Sequence, residues 1–282
     1  GSMEDHPMTG NIAQISVAQA KALLDSARLG QRTLLDVRQD FEYAEGHLPG
    51  ATLIPLPQLA DRAGELDPAL PAVVYCRSGR RSLAAANLLS GLGFWDVVSM
   101  QGGIMAWDGA HAAGPVDFGL AALLSAASAQ EVLERAWGME LALGEFYGVL
   151  AARSSEPDLA ALFERLAGFE ERHRRTLTEV WKRLGAGAVE AFETRARATV
   201  APGTLEGGIS AQDYLGQLGD PTSTTAALEL AMAVEAQAMD LYLRRSKAET
   251  DADLRRTLVL LAEEEKAHLK VLGSFVDSRK GF

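Results

Sequence analysis

Glu140, Glu170-x-x-His173, Glu235 and Glu265-x-x-His268 lie on four helix-patterned segments, and the second pair of segments repeats the first at a constant offset of 95 residues. Tyr147 and Tyr242 keep the same offset, and Leu166-Ala167-x-x-Glu170-x-x-His173 returns as Leu261-Ala262-x-x-Glu265-x-x-His268. Whole helical turns are therefore repeated, not isolated charges. On a helix, residues three apart stand about 60° from each other and residues seven apart nearly eclipse, so all the repeated residues can point to one side. Helical Glu and His ordinarily form a solvated, ion-pairing face. Here the flanks are apolar (Leu141, Leu143, Phe146; Leu162, Phe163, Leu166; Leu230, Met232, Val234; Leu258, Leu260, Leu261), so the carboxylates interrupt stripes that should face a core. Buried without counter-charge, such carboxylates would cost several kcal/mol each; two divalent cations and two imidazoles remove that cost. The pattern is the ligand set of a two-metal carboxylate site in a four-helix bundle, with Glu140, Glu170, His173, Glu235, Glu265 and His268 as ligands. Tyr147 and Tyr242 are expected either to hydrogen-bond a ligand carboxylate or to serve as core packing. Glu145 and Asp240 share the offset but lie about 140° around the helix from the proposed ligands, and both are expected to be solvated.

A second centre of chemistry is the only cysteine. The run Ala72-Val73-Val74-Tyr75 reads as a strand delivering Cys76 into Arg77-Ser78-Gly79-Arg80-Arg81, after which Ser82 to Leu89 reads as a helix. A thiol in a loop whose N–H groups curl over it and open a helix sits in positive potential, and Arg77, Arg80 and Arg81 should add to it. A lowered thiol pKa and a standing thiolate nucleophile are the expected result. The plain alternative is a buried structural cysteine. A phosphate-gripping Cys-x5-Arg loop needs Arg six positions on, where this chain has Ser82; its Arg81 comes one residue early. The shorter cradle suits a terminal sulfur atom, so Cys76 should take sulfane sulfur as a persulfide and pass it to a nucleophilic acceptor, with residues 77–81 binding the donor.

Short β-rich runs (Thr33 to Val37, Ala51 to Ile54, Ala72 to Cys76, Val97 to Ser99) alternate with helical patterns up to about residue 110, the mark of an α/β domain with a largely parallel sheet. His111-Ala-Ala-Gly114-Pro115 opens a linker over 111–126. Beyond it helices are expected near 127–153, 156–184, 222–247 and 250–277, with Asp220-Pro221-Thr222 opening the third. The connection over 186–221 is too long for a tight turn and fits the single long crossover of a ferritin-like bundle, with a short helix near Ser210 to Leu218 riding on it. Asp36 and Arg38 read as a structural polar network beside the cysteine loop, His47 as a residue that fixes its turn, Trp107 as core and His111 as a lone linker histidine.

Length and composition set the remaining bounds. A chain of 282 residues, 48% hydrophobic, can build two cores. Its net charge of −11 argues against a nucleic-acid partner. No apolar run reaches spanning length and no secretory segment is visible, so no membrane partner and a cytoplasmic location are expected. Gly1-Ser2-Met3 reads as a remnant of expression, followed by a loose terminus through Gly10. One cysteine permits neither an intrachain disulfide nor a Cys-x-x-Cys metal knuckle.

Residues 11–110 resemble a single-domain rhodanese, through Leu35-Asp36-Val37-Arg38, Gly46-His47-Leu48-Pro49-Gly50-Ala51, the Cys76 loop and Gly102-Gly103-Ile104-Met105-Ala106-Trp107. Residues 127–277 resemble the rubrerythrin-like branch of the ferritin-like superfamily, through the glutamate and Glu-x-x-His pattern. The resemblance implies a multidomain α/β plus all-α chain, a sulfurtransferase fused to a di-iron oxidase or peroxidase. It also implies two iron ions, although carboxylate and imidazole ligands equally suit Fe/Mn or two Mn. Some relatives carry a further Glu ligand; Ala238, near the corresponding turn, offers none. The rubredoxin-like tail of familiar rubrerythrins is absent from this sequence, which implies an external electron donor beside a small sulfur donor and acceptor. Iron storage, or a bundle that only pairs two copies into a homodimer, remain the competing readings.

Overall fold

The computed structural model describes residues 12–109, 111–112, 126, 128–200 and 224–279. The terminus through Gly10, most of the 111–126 linker, Asp220-Pro221-Thr222 and the helix expected near Ser210 to Leu218 lie outside these residues. The chain forms two compact units that divide near residue 110.

The first unit is a five-stranded parallel sheet. Its strands are β1 (Ala13–Ile15), β2 (Thr33–Asp36), β3 (Thr52–Leu53), β4 (Ala72–Tyr75) and β5 (Val97–Met100), in the spatial order β1-β5-β4-β2-β3. Helices α1 (Val17–Ser26), α2 (Asp40–Glu45), α3 (Leu59–Arg62) and α4 (Arg80–Gly91) connect them. β4 is central and buried along its whole length, which is why it reads as an uninterrupted apolar run. Its side chains alternate between two cores: Val74 and Cys76 join Leu35 and Val37 on one face, while Val73 and Tyr75 join Tyr43 and Leu48 on the other. β1 has no such signal, because it is three residues long and mostly exposed. Ser16 starts α1 with a capping box, its hydroxyl accepting from Gln19 N–H while the Gln19 side chain accepts from Ser16 N–H.

The strand order has a direct consequence for function. After β2 the chain moves outward to β3, and after β4 it moves the other way to β5. The carboxyl ends of β2 and β4 therefore flank a crevice where connections diverge, the place where open parallel sheets bind ligands. Arg38 follows β2 there, and Cys76 follows β4.

The second unit is helical: α5 (Ala129–Arg153), α6 (Pro157–Leu184), α7 (Val189–Ala198), α8 (Thr224–Ala248) and α9 (Ala252–Arg279). Ser128 caps α5 by accepting from Glu131 N–H at 3.2 Å, and Pro157 opens α6 at a position whose N–H would be unpaired in any case. α5 with α6, and α8 with α9, form the two antiparallel pairs. Leu143, Phe146, Phe163 and Leu166 from the first pair meet Leu230, Val234 and Leu272 from the second in one core; Leu260, read as a core flank, is exposed.

Two expectations for this unit change. The segment after α6 contains α7, which anchors itself by Phe192, stacked on Trp181 at 4.4 Å and edge-on to Trp137 at 6.2 Å between ring centroids. Asp240 is fully buried rather than solvated. Most of α8 is buried on more than one side, so a position well around the helix from Glu235 still meets protein, and Arg244 lies one turn on, 3.4 Å from the Asp240 carboxylate. Glu145, its counterpart on α5, is exposed.

Candidate active site and candidate metal centre

The Cys76 sulfur sits at the mouth of α4. Gly79 N–H donates to it at 3.1 Å, and Ser82 Oγ lies 3.6 Å away. Gly79 has φ +103, a conformation that lets the loop turn its N–H inward and that an L side chain would resist. Ser82 is itself held, bonded to Gly79 C=O at 3.1 Å and to Ser99 Oγ on β5 at 2.9 Å. Burial alone would raise the thiol pKa, but the Ser82 hydroxyl and the N–H groups of Ser82, Gly79 and Ser78 outweigh it and hold the thiol below its ordinary value. The loop is braced from the side by the turn after β5. Ile104 N–H donates to Cys76 C=O at 2.8 Å and Met105 N–H to Arg77 C=O at 3.1 Å. That approach demands a residue without a side chain at 103, where a Cβ would come within 2.4 Å of the Arg77 carbonyl.

The arginines behave differently from one another. Arg77 and Arg80 are exposed beside the loop, with Ser78. Arg81 is half-buried and gripped by Glu42 of α2 in a two-pronged pair, Nη1 to Oε2 at 2.7 Å and Nη2 to Oε1 at 2.8 Å. Arg81, expected to help bind an anionic donor, thus has two of its five N–H groups committed to Glu42, while its charge still acts on Cys76. The larger influences lowering the thiol pKa are the Ser82 hydroxyl and the loop N–H groups. The Arg81 hydrogen bond brings the Glu42 carboxyl down to about 2. Asp36 and Arg38 form a buried two-pronged pair, and Arg38 Nη2 also donates to Gly46 C=O at 2.8 Å, tying the end of β2 to the following turn. His47 Nδ1 lies 2.9 Å from Tyr43 C=O with its ring stacked on Tyr43. Trp107 packs half-buried against the sheet core, and His111 is exposed.

In the helical unit the six repeated residues converge. Glu140, Glu170, His173 and Glu265 form one group, and Glu170, Glu235, Glu265 and His268 a second; within each, candidate ligand atoms lie within 4.8 Å of one another. Glu170 and Glu265 belong to both groups. Both imidazoles turn Nδ1 inward: His173 Nδ1 is 3.1 Å from Glu140 and from Glu170, and His268 Nδ1 is 2.9 Å from Glu265 and 3.2 Å from Glu235. The tyrosines cross between halves. Tyr147 donates to Glu235 Oε1 at 2.5 Å, and Tyr242 donates to Glu140 Oε1.

The donor set fits a pair of cations. All four carboxylate oxygens of Glu170 and Glu265 are buried and none has a well-aligned hydrogen-bond donor. The two imidazole Nδ1 atoms, 2.9 to 3.3 Å away, are the nearest positive groups to two whole carboxylates, a shortage that a bound cation would answer. Without cations the cluster must hold protons. Burial first, then the charges of Glu265 and Glu140, pushes Glu170 well above the ordinary carboxylate range, and burial with Glu265 pushes Glu235 up to about 8. Glu265 goes the other way: burial would raise it, but His173 and the surrounding hydrogen bonds hold it low. His268, which burial alone would lower, is raised to about 10 by Glu235 and Glu265.

Sequence reasoning missed the part of Ser82 beside the thiol, Ser99 behind Ser82, Glu42 on Arg81, and Glu264 beside the carboxylates. Glu264 Oε2 stands 2.7 Å from His173 Nε2. The signal for it was present, since Glu264 and Phe169 break the 95-residue repeat directly beside the shared glutamates.

Comparison with known proteins agrees with both geometries. Residues 16–110 match the rhodanese-like domain family, and residues 131–275 match the rubrerythrin family. A sulfurtransferase of Allochromatium vinosum is 36% identical over 91 residues, 30% of this chain and 85% of that protein. The thiosulfate sulfurtransferase GlpE of Pseudoalteromonas translucida is 35% identical over 97 residues, 34% of this chain and 90% of its own length. The YrkF protein of Bacillus subtilis is 36% identical over 99 residues, and this chain spans 52% of its length. The chain belongs to the rubrerythrin family through its helical unit and to the rhodanese family through its α/β unit. No helix among the described residues is long and apolar enough to cross a membrane.

Proposed function

We propose that this protein joins a persulfide-forming sulfurtransferase to a non-haem di-iron oxidase or peroxidase serving sulfur or peroxide metabolism. In the first unit, the Cys76 thiolate attacks the outer sulfur of thiosulfate or of a small persulfide. The sulfur–sulfur bond of the donor breaks, its electron pair leaves with sulfite or thiolate, and the sulfur stays on Cys76. A second nucleophile then takes that terminal sulfur and restores the thiolate. The N–H groups of Ser78, Gly79 and Ser82, with the Ser82 hydroxyl, favour the anion throughout.

In the second unit, Glu140 and His173 would hold one iron and Glu235 and His268 the other, with Glu170 and Glu265 shared. Bound there, the irons supply electrons for reducing peroxide or dioxygen, replenished by an external donor. The chain's own part is to present Nδ1 of both imidazoles, to orient the terminal carboxylates through Tyr147 and Tyr242, and to keep the cluster buried. The observation that carries this reading is the convergence of four buried carboxylates and two imidazoles in two overlapping groups, with no well-aligned donor for the oxygens of Glu170 and Glu265. Metal analysis with an optical spectrum on aerobically and anaerobically purified protein tests it. Two iron ions per chain are expected; full thermal stability in a metal-free preparation, with no iron taken up, would leave the bundle a structural role only.

A further inference from the structure

The repeat that builds the carboxylate cluster fails at one position that touches it. At the 95-residue offset, Glu264 on α9 corresponds to Phe169 on α6, so the residue before each shared glutamate is a carboxylate in one half and a phenyl ring in the other. Each reaches across to the opposite half's histidine. Glu264 Oε2 stands 2.7 Å from Nε2 of His173, the ring nitrogen turned away from the cluster. Phe169 instead stacks on the His268 ring, 4.6 Å between centroids and 12° from parallel. Among the described residues, the carboxylates paired with His268 all face its Nδ1, and none pairs with its Nε2.

The two environments are not chemically equivalent. An imidazole that binds a cation through Nδ1 keeps its proton on Nε2, and a carboxylate against that proton fixes the tautomer and makes Nδ1 a stronger donor. A stacked phenyl ring fixes the ring plane without supplying that electron density. We propose that Glu264 is a positioning residue that makes the two metal positions unequal, strengthening the one formed with His173 and Glu140 over the one formed with His268 and Glu235. This rests on the two-ion reading above.

The test uses the full chain, titrated with Co(II) and followed by its visible absorption, and separately loaded with 57Fe(II) for Mössbauer spectroscopy. Glu264→Ala should weaken one Co(II) site by about tenfold, the lower end for loss of a partner behind a metal-binding histidine, and leave the other within about twofold. Glu264→Gln, which keeps an oxygen acceptor but no charge, should fall between. Wild-type ferrous protein should give two quadrupole doublets of equal area, of which Glu264→Ala shifts one; Phe169→Leu should leave that same doublet in place. Unchanged affinities and doublets in Glu264→Ala would overturn the assignment, and so would equal changes at both sites, the signature of general loosening. Failure of the wild-type protein to take up a second ion would instead bring down the two-ion reading, and this assignment with it.

Discussion

Tyr147 on α5 donates its hydroxyl to the Glu235 carboxylate on α8, 88 residues away in sequence and 2.5 Å away in space. Tyr242 returns the contact from α8 to Glu140 on α5. Each tyrosine holds one carboxylate that the shared glutamates do not, and each leaves the second oxygen of that carboxylate beside an imidazole Nδ1. Tyr147→Phe and Tyr242→Phe should therefore each lower affinity at one metal position, by roughly tenfold, and by similar amounts. Calorimetric titration of both variants with Co(II) checks this; a loss confined to one variant would break the crossed arrangement.

The shared glutamates make a different demand. Glu170→Ala and Glu265→Ala each remove a carboxylate common to both groups and should reduce binding at both positions, whereas Glu140→Ala should spare the position beside His268. Ions per chain after dialysis distinguish the cases. Two tightly held ions in Glu170→Ala would remove Glu170 from the ligand set.

Metal uptake should depend on pH with a definite sign. Glu235, raised to about 8, and His268, raised to about 10, carry protons at neutral pH in the ion-free cluster and must lose them to bind a cation, and Glu170 is shifted in the same direction. Affinity should rise with pH through the neutral range and fall as pH drops below 7. Titration calorimetry in two buffers of different ionisation enthalpy measures the protons released, and a value of zero at pH 7 would contradict the account.

At the thiol, Cys76→Ser should abolish sulfur transfer and leave bound metal unchanged. Ser82→Ala removes the hydroxyl 3.6 Å from the sulfur, which can turn its proton from Gly79 C=O to the thiolate once the thiol ionises. A hydrogen bond to a charged group is worth about 1.5 kcal/mol, so the pH midpoint of alkylation should move up by roughly one unit. Arg81→Ala should move it less, because Glu42 already engages the Arg81 fork. Alkylation rates across pH for the two variants decide which group tunes the thiol.

The sheet and the long helices were legible because their signals are local. β4 is an unbroken apolar run, and the cluster residues recur at helical spacing within an apolar frame. What escaped depends on partners distant in sequence. Nothing near Glu42 announces its pairing with Arg81, 39 residues on. The burial of Asp240 follows from how much of α8 is covered, which a helical wheel centred on Glu235 does not contain. α7 shows only Val189, Phe192 and Ala196 at helical spacing among charges, and its anchor is a pair of tryptophans on other helices. Glu264 was visible as a break in the repeat, but its place against His173 needed the tertiary structure.

The most direct test of the account is stopped-flow reoxidation of the chemically reduced, iron-loaded protein, mixed in turn with hydrogen peroxide and with dioxygen. The account predicts complete reoxidation by both, faster with peroxide, at the same rates in the wild-type protein and in Cys76→Ser. Protein that carries two irons per chain and reacts with neither oxidant would contradict it.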